Sequence, residues 1–305
     1  MTDILIVGGG PAGLTAAIYA ARAGKSVVVC EKESLGGQIT QAHRVRNYPG
    51  FSDISGIELG DAFCAHAMEA GAQIEFTSVQ YLGQRSDGSF IAQTDDGTFQ
   101  AAAVIYAGGA KPRLLEVNRE TELVGKGISY CALCDGEFYR DQDVAVVGGG
   151  NTAVTDALFL ADICRSVTLI HRRDTFRAEK ADMEILRSKP NVRILIPYTV
   201  QKLCGEEFLQ GLLLSNTQTS KTTFLPVSSL FVALGRVADC GLIKEMADLD
   251  EYGYVLTKSD CVTKTLGLYA AGDCRAKDIR QITTAAADGT IAGTVACNFV
   301  DHIKR

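Results

Sequence analysis

The sequence contains no tryptophan and only six prolines, against 31 glycines and 47% hydrophobic residues. A low proline content with many glycines and hydrophobic residues is typical of an α/β protein with tight turns. The same composition argues against a disordered chain. The 305 residues are enough for two ordinary domains and a large buried core.

An excess of positive charge is also missing, because the formal net charge is −6. The charge balance therefore gives no reason to expect binding to nucleic acid or to an anionic membrane surface. No apolar run approaches the length of a membrane span, and the N-terminal MTDILIVGGG lacks the basic start and cleavage site of a signal peptide. We therefore expect a cytoplasmic protein without a membrane partner. Most of its ten cysteines should be reduced there, with Cys30, Cys164 and Cys297 as core residues.

The beginning of the chain has the pattern of a βαβ dinucleotide-binding unit. An apolar run leads directly into Gly8-x-Gly10-x-x-Gly13 and a helical pattern that ends at Gly24, and a second apolar run ends at Glu31. Such glycines let backbone N–H groups approach a pyrophosphate, and the acid can bind ribose hydroxyls. The segment predicts a site for a nucleotide with a free ribose, such as FAD.

The same pattern returns one domain length later as Gly148-x-Gly150-x-x-Ala153. Here the second apolar run ends in basic residues rather than in an acid, namely His171, Arg172 and Arg173, with Arg177 one turn on. An acid would repel a ribose 2′-phosphate, whereas arginine binds phosphate with two parallel hydrogen bonds. This unit therefore predicts a site for NADPH rather than NADH.

A structural explanation of these motifs is weaker but exists. One glycine motif carries little weight because tight strand-to-helix turns need glycine anyway, and a basic cluster can be a solvated helix start. Two copies in full βαβ context, with strand ends of contrasting charge, favour two nucleotide sites.

The segment CALCDG places Cys131 and Cys134 in C-x-x-C spacing, followed by Asp135. Three explanations compete: part of a zinc site, a structural disulfide, and a disulfide made and broken in each turnover. Zinc needs about four ligands and the sequence has no second pair at ligand spacing, while structural disulfides are disfavoured in the cytosol. A redox-active pair is therefore favoured, with Asp135 as a proton donor or acceptor or, alternatively, a turn residue.

Apolar strands in 101–113 and 228–239 bracket the second unit and are candidates for the two crossings between domains. A further apolar strand in 265–274 ends in Gly272-Asp273. It places a carboxylate at the carboxyl end of a strand, where ligands bind in open α/β sheets.

These segments, in this order, closely resemble the low-molecular-weight, bacterial-type thioredoxin reductases, a class II group of pyridine nucleotide-disulfide oxidoreductases. The matching segments are GGGPAGLTAAIYAARAG, GGQIT, NYPGF, CALCDG, GGGNTAV, HRRDTFRA and AAGDCRAKDIRQITTAAADG. The resemblance runs almost end to end. The chain differs from glutathione-reductase-like enzymes, because its cysteine pair lies just before the second nucleotide unit and not near the N-terminus.

The resemblance implies an α/β fold of two Rossmann-like, three-layer dinucleotide-binding domains. The NADPH domain, 114–242, would carry the redox disulfide and would be inserted into a discontinuous FAD domain, 1–113 and 243–305. It also implies a homodimeric flavoprotein. Its activity would be NADPH-dependent thioredoxin-disulfide reduction, in which electrons pass from NADPH to FAD, to the cysteine pair and to oxidised thioredoxin.

The resemblance further implies roles for single residues. Cys134 would lie next to the flavin, Cys131 would attack thioredoxin, and Asp135 would act as the acid–base group. The implied FAD contacts are Gly8, Gly10, Ala12, Gly13, Glu31, Gly36, Gly37, Gln38, Asn47, Asp273, Arg280 and Gln281. The implied NADPH contacts are Gly150, Asn151, Thr152, His171, Arg172, Arg173 and Arg177.

Two positions depart from the family pattern, since Glu137 stands where relatives often carry an apolar residue and GRVADC at 235–240 lacks a common proline. Alternatives on the same scaffold are a reductase of another thioredoxin-like or peroxide-reducing carrier, and a flavin dithiol oxidase that passes electrons to oxygen. The complete basic set around Arg172 argues against the oxidase, which needs no NADPH. A flavin-bound redox sensor would likewise need no NADPH turnover.

Overall fold

The computed structural model describes residues 1–42 and 44–304. The chain forms two compact units, one of Met1–Lys111 with Val237–Arg305 and one of Pro112–Arg236. The crossings thus fall a few residues before the predicted boundaries. The reason is local, because the two crossing strands, Ala110–Pro112 and Arg236–Ala238, pair with each other in a two-stranded ribbon.

The helices and strands follow one another along the chain in three stretches. The first stretch contains β1 (Thr2–Val7), α1 (Pro11–Arg22), β2 (Val27–Glu31), α2 (Gly56–Glu69), β3 (Gln73–Phe76), β4 (Val79–Gln84), β5 (Phe90–Thr94), β6 (Gly97–Tyr106) and β7 (Ala110–Pro112). The inserted stretch contains β8 (Ile128–Ser129), α3 (Ala132–Asp135), β9 (Asp143–Val147), α4 (Asn151–Ala161), β10 (Ser166–Ile170), α5 (Lys180–Ser188), β11 (Val192–Leu195), β12 (Tyr198–Cys204), β13 (Gly211–Asn216), β14 (Thr222–Leu225), β15 (Ser229–Val232) and β16 (Arg236–Ala238). The last stretch contains β17 (Leu268–Ala270) and α6 (Ile282–Ile303).

The first unit is built on a mixed sheet with the order β3-β2-β1-β6-β5-β4, with β17 beside β6. Strands β1, β2, β3, β6 and β17 run parallel, and β5 is antiparallel to both of its neighbours, β4 and β6. Ile4 and Ile6 pack under the helices on one face, and Leu5 belongs to a second core cluster that includes Leu82 of β4 and Phe90 of β5. Strand β1 is a continuous apolar run because both of its faces are buried.

Helices α1 and α6 join the two ends of the chain through small residues. A Cβ on Gly289 would lie 2.2 Å from the carbonyl oxygen of Ala12, and one on Gly293 would lie 2.8 Å from that of Ala16. The two helix backbones are therefore in direct contact, which only glycine permits at these positions. This contact holds α6 against the first βαβ unit.

The second unit has a parallel sheet with the order β11-β10-β9-β15-β8. One face is covered by helices α4 and α5, with Val144 and Val146 in that core. The other face is covered by the antiparallel sheet β12-β13-β14, with Ala145 and Val147 in the second core. The second unit thus has three layers, and the parallel strands packed against helices in both units confirm the predicted α/β class.

Two further sequence predictions concern single elements. Helix α1 ends as predicted, with Gly24 in a left-handed conformation (φ +76°) directly after the C-cap residue Ala23. Cys30, Cys164 and Cys297 are buried and unbonded, as expected of core residues. No helix in the described part of the chain combines the length and the apolarity that crossing a bilayer requires.

Candidate functional site

The first glycine turn brings strand β1 into contact with the loop after β6. Gly8 has φ +110°, and a Cβ there would lie 2.3 Å from the Ala107 carbonyl oxygen. A Cβ on Gly13 would lie 1.9 Å from the Gly8 carbonyl oxygen. Gly10, at the N-cap of α1, has no side chain with which to cap the helix. The first amides of α1 can therefore serve an anionic ligand.

Glu31, at the end of β2, is engaged with the backbone of its own loop. It is 8% exposed, and its Oε2 accepts a hydrogen bond from Gly9 N–H at 2.6 Å. Its Oε1 accepts from the N–H groups of Glu33 at 2.6 Å and Ser34 at 3.2 Å. The carboxylate predicted to bind a ribose thus also braces the glycine turn, a role that the spacing did not reveal.

Other residues predicted to bind FAD lie against this turn. A Cβ on Gly37 would lie 3.0 Å from the Cα of Gly10, so the segment with Gly36 and Gly37 runs close to the start of α1. Gln38 Nε2 donates to the Ala110 carbonyl oxygen at 2.7 Å.

Two predicted contacts that are far apart in sequence meet directly. Asn47 Nδ2 donates to Gln281 Oε1 at 3.1 Å. Arg280 lies over the Tyr254 ring, with its guanidinium carbon 4.1 Å from the ring centroid, and donates weakly to the Asp273 carbonyl oxygen at 3.4 Å.

The turn Gly272–Cys274, which carries Asp273, lies against the start of α1. A Cβ on Gly272, whose φ is +84°, would lie 2.8 Å from the Cβ of Ala12. The twelve predicted FAD contacts therefore belong to one unit, and the structure brings Gly8, Gly10, Ala12, Gly13, Glu31, Gly37 and Asp273 around the N-terminus of α1.

Sequence reasoning missed a buried ionic cluster beneath this turn. Asp288, 8% exposed, accepts hydrogen bonds from Gly272 N–H at 3.0 Å, Lys277 Nζ at 2.8 Å and the Arg275 guanidinium. Arg275 in turn donates to Thr257 Oγ1 at 2.7 Å. The only sequence indication of this cluster was Asp288 itself, a single acid in the small-residue segment TTAAADGTIAG. A carboxylate buried in such a segment needs a charged or hydrogen-bonding partner.

The second glycine turn repeats the geometry of the first. A Cβ on Gly148 would lie 2.4 Å from the Ala233 carbonyl oxygen, whereas a Cβ on Gly150 would meet no atom within 4 Å. Asn151 and Thr152, at the start of α4, are exposed, and Asn151 Oδ1 accepts from Glu179 N–H at 3.0 Å. The open space at Gly150 can admit a pyrophosphate.

His171 lies inside this turn rather than on its surface. It is 9% exposed, its ring lies 4.9 Å from that of Phe176, and its Nε2 lies 3.1 Å from the Thr175 carbonyl oxygen. A Cβ on Gly149 would be only 2.1 Å from the His171 ring. His171 therefore braces the turn, a position that its predicted role as an NADPH contact did not anticipate.

The loop between β10 and α5 carries the three predicted arginines, which give it a positive potential, and it is called the basic edge. Arg172, Arg173 and Arg177 are exposed, and Arg177 N–H donates to the Gly149 carbonyl oxygen at 2.8 Å. Burial, followed by repulsion from the three guanidinium groups, lowers the pKa of His171 below its ordinary value of 6.5. A phosphate placed here would meet cations and no charged imidazole at neutral pH.

The cysteine pair lies at the start of the short helix α3. Cys131 and Cys134 form a disulfide with their Cα atoms 5.3 Å apart, and Cys131 is the N-cap residue. The Cys131 carbonyl oxygen accepts from the N–H groups of Cys134 at 3.2 Å and Asp135 at 3.1 Å. Leu133, between the cysteines, is 57% exposed, so the turn faces solvent.

Asp135 lies beside the pair and is bonded to a serine that the sequence did not single out. Ser129 Oγ donates to Asp135 Oδ2 at 2.6 Å and accepts from Cys131 N–H at 3.1 Å. Burial raises the pKa of Asp135 above its usual value, and the Ser129 hydrogen bond partly offsets this. A carboxyl group with a raised pKa takes up a proton more readily than an ordinary aspartate, which suits a proton donor or acceptor in the thiol–disulfide step.

Two more carboxylates shape the surroundings of the pair. Glu120, 3% exposed, accepts from Tyr130 Oη at 2.8 Å and from the Leu115 N–H at 2.8 Å. Glu137, one of the departures from the family pattern, binds Arg140 through two parallel 2.8 Å hydrogen bonds on the surface.

Comparison with known proteins places this geometry in a family. Residues 2–289 match the pyridine nucleotide-disulphide oxidoreductase family. A thioredoxin reductase from Treponema pallidum is 39% identical over 303 residues, which are 99% of this chain and 98% of its own length. A 34.2 kDa protein in the rubredoxin operon of Clostridium pasteurianum is 40% identical and covers 98% and 97% of the two chains.

Among solved structures, the thioredoxin reductase from Streptococcus pyogenes MGAS5005 is 37% identical and covers 99% of each chain with a TM-score of 0.94. The similarity to these relatives extends over nearly the whole chain. The chain therefore belongs to the pyridine nucleotide-disulphide oxidoreductase family, in the group of low-molecular-weight thioredoxin reductases.

Proposed function

We propose that this protein is a cytoplasmic, homodimeric thioredoxin reductase that contains FAD and takes its electrons from NADPH. One observation carries the proposal above the others. The unit that holds the Cys131–Cys134 disulfide also holds a glycine turn with a basic edge, and the other unit holds a glycine turn with an acidic strand end. A disulfide, a nicotinamide site and a flavin site are what such an electron path needs.

The first unit, residues 1–111 and 237–305, is the proposed FAD domain. The uncapped start of α1 offers amides to the pyrophosphate, and Gly10 leaves room for close approach. Glu31 keeps lone pairs beyond its three backbone hydrogen bonds, so it can still accept from ribose hydroxyls. Asp273, Arg280 and the Asn47–Gln281 pair would contact the rest of the cofactor.

The second unit, residues 112–236, is the proposed NADPH domain. Gly150, Asn151 and Thr152 would receive the pyrophosphate at the start of α4. Arg172, Arg173 and Arg177 would bind the 2′-phosphate, which NADH lacks. His171 would support this site from within through its contact with Gly149.

When bound, a flavin would supply two-electron transfer between a nicotinamide and a disulfide. With two electrons that originate from NADPH and with two protons, the Cys131–Cys134 disulfide would become two thiols. The thiolate of Cys131 then attacks one sulfur of the thioredoxin disulfide, forms a mixed disulfide and releases one thioredoxin thiolate, which takes up a proton. The thiolate of Cys134 next attacks the Cys131 sulfur, which restores the disulfide and releases the second thioredoxin thiol. Asp135 would exchange the protons of these steps, a role supported by its connection to the Cys131 N–H through Ser129.

The exposed turn around Leu133 is consistent with a protein substrate, because another macromolecule can reach the pair. The basic edge favours this reductase over a dithiol oxidase, since the oxidase would have no use for a 2′-phosphate site.

An anaerobic titration of the purified protein with NADPH, followed by flavin absorbance, tests the proposal. We expect full reduction at about two equivalents per chain, one for the flavin and one for the disulfide. Cys134→Ser should need about one equivalent, keep its flavin and lose thioredoxin reduction. A bound flavin that NADPH leaves oxidised would contradict the proposal and favour the dithiol oxidase.

A further inference from the structure

Ser129, the last residue of β8, connects the disulfide to Asp135. Its Oγ lies 2.6 Å from Asp135 Oδ2 and 3.3 Å from the Cys131 carbonyl oxygen, and it accepts from Cys131 N–H at 3.1 Å. Ser129 is 2% exposed, so these protein groups and not bulk water satisfy its hydroxyl.

The hydroxyl has two acceptors within range but only one proton to donate. The shorter distance, to Asp135, fits a hydrogen bond to an ionised carboxylate. When Asp135 is protonated, its own O–H can donate to Ser129 Oγ. The Ser129 proton is then free to turn to the Cys131 carbonyl oxygen, which also receives the N–H groups that close the α3 turn.

We propose that Ser129 is a positioning residue that couples the protonation of Asp135 to the backbone of Cys131. The inference rests on the proposed function, in which Asp135 exchanges protons and Cys131 attacks the partner disulfide. In one proton state the hydroxyl holds the carboxylate. In the other it holds the Cys131 carbonyl at the N-terminus of α3.

Other titratable groups lie on the elements packed against α3. They are Asp156 on α4, Glu137 and Tyr139 in the turn Gly136–Tyr139, and Arg140 after it. Burial raises the pKa of Asp156 to about 6, so a pH profile of this region can contain more than one titration. The part of the profile that belongs to Asp135 must therefore be identified by its loss in Asp135→Asn.

The experiment measures the rate of thioredoxin reduction across pH for the holoenzyme and its variants. The part of the pH–rate profile that depends on Asp135 is called its limb. Ser129→Ala should move this limb to higher pH by about one unit, because the lost hydrogen bond favoured the ionised carboxylate. Ser129→Thr should restore the limb, since it keeps the hydroxyl. In the Asp135→Asn background, Ser129→Ala should change the profile no further, because Ser129 acts through Asp135.

Thermal midpoint and the rate of flavin reduction by NADPH serve as controls and should stay at wild-type values. If the alanine variant does not fold, Ser129→Thr and Ser129→Val form a second pair of equal shape that differs in the hydroxyl alone. An unmoved limb would overturn the inference. So would an equal loss of rate in the wild-type and Asp135→Asn backgrounds, which is the result of a purely structural role.

Failure of the proposed function is recognised separately, because wild-type protein would then not reduce thioredoxin with NADPH. In that case the same variants are compared by the pH dependence of Cys131–Cys134 reduction with dithiothreitol. A limb that shifts in this assay supports the coupling without the proposed function, and a fixed limb rejects it.

Discussion

The two glycine turns differ in charge but are built on the same close contacts. A Cβ on Gly8 would lie 2.3 Å from the Ala107 carbonyl oxygen, and one on Gly148 would lie 2.4 Å from that of Ala233. In both units the loop after a neighbouring strand thus closes against the first glycine. The backbone of the turn is the shared part, and in both units it excludes a side chain at that position.

The strand ends show where the two units diverge. Gly9 contacts Glu31 through a 2.6 Å hydrogen bond, and Gly149 contacts the His171 ring, which a Cβ would approach to 2.1 Å. In each unit the side chain at the end of the second strand braces the middle glycine. In the first unit this brace is also the proposed acid for the ribose, whereas in the second the proposed phosphate ligands follow the brace, beginning with Arg172. A substitution can therefore change nucleotide binding without removing the brace only in the second unit.

The largest test of this comparison removes the basic edge of the second unit. In the double variant Arg172→Ala/Arg173→Ala, NADPH affinity should fall about 100-fold, because each lost charge-assisted hydrogen bond is worth about 1.5 kcal/mol or more. NADH affinity should change little, since NADH has no 2′-phosphate. Isothermal titration with both nucleotides measures this.

Arg187→Ala, an exposed arginine in the last turn of α5, is the matched control and should leave both affinities unchanged. Equal losses for NADPH and NADH in the double variant would remove the assignment of a phosphate site.

The second test acts on the brace of the first unit. Glu31→Gln replaces a carboxylate that accepts three N–H groups with an amide that has one acceptor oxygen. We expect a loss of about 2 kcal/mol in the free energy of unfolding, together with weaker flavin retention. Chemical denaturation of the apoprotein separates the two effects.

Glu33→Gln provides the comparison, because the exposed Glu33 side chain forms a salt bridge with Lys111 at the surface. Its effect should stay below about 0.5 kcal/mol. An apoprotein of Glu31→Gln as stable as that of Glu33→Gln would show that Glu31 is no brace.

The third test fills the space left for the pyrophosphate without touching the brace. Gly150→Ala meets no atom within 4 Å, so the thermal midpoint should not change. NADPH and NADH should both bind about tenfold more weakly, because a Cβ would stand where both nucleotides place their pyrophosphate. Gly149→Ala should instead lower the thermal midpoint, since its Cβ collides with the His171 ring. Unchanged nucleotide binding in Gly150→Ala would place the pyrophosphate elsewhere.

The smallest expected effect is a pH dependence of stability in the second unit. The pKa of His171 is below 6.5 in the folded chain, so the folded state binds fewer protons there than the unfolded state. The stability that neutral His171 contributes should be fully present above pH 6.5. It should decline as the pH falls from 6.5 to the lower pKa of the folded state and stay constant below that. His171→Phe keeps a ring against Phe176 and should lose this decline, as thermal midpoints at a series of pH values would show. If the thermal midpoints of wild type and His171→Phe changed with pH in parallel, the assigned role of His171 in this decline would be wrong.

The elements that the sequence predicted best are those whose signals are local. The apolar run of β1, the glycine turn after Val7 and the end of α1 at Gly24 each follow from neighbouring residues, and each stands in the structure as predicted. The C-x-x-C spacing likewise places two sulfurs within one helical turn.

The features that escaped prediction join residues that lie apart in the sequence. Asp288 meets Gly272 only because α6 packs against the turn after β17, and periodicity contains no such information. The sequence placed the crossing into the last stretch within 228–239, but its exact position depends on pairing between β7 and β16, strands of three residues each. For Ser129 and Asp135 the spacing was visible, but the hydrogen bond between them depends on how β8 leads into α3.

The contact of α6 with α1 bears on the order in which the protein can fold during synthesis. Gly289 and Gly293 leave the ribosome after the whole inserted unit, yet they cover Ala12 and Ala16 near the start of the chain. The inserted unit is continuous in sequence and can fold as soon as it has emerged. The first unit must wait with an open face for α6, so the nascent chain should acquire its flavin only after α6 has emerged.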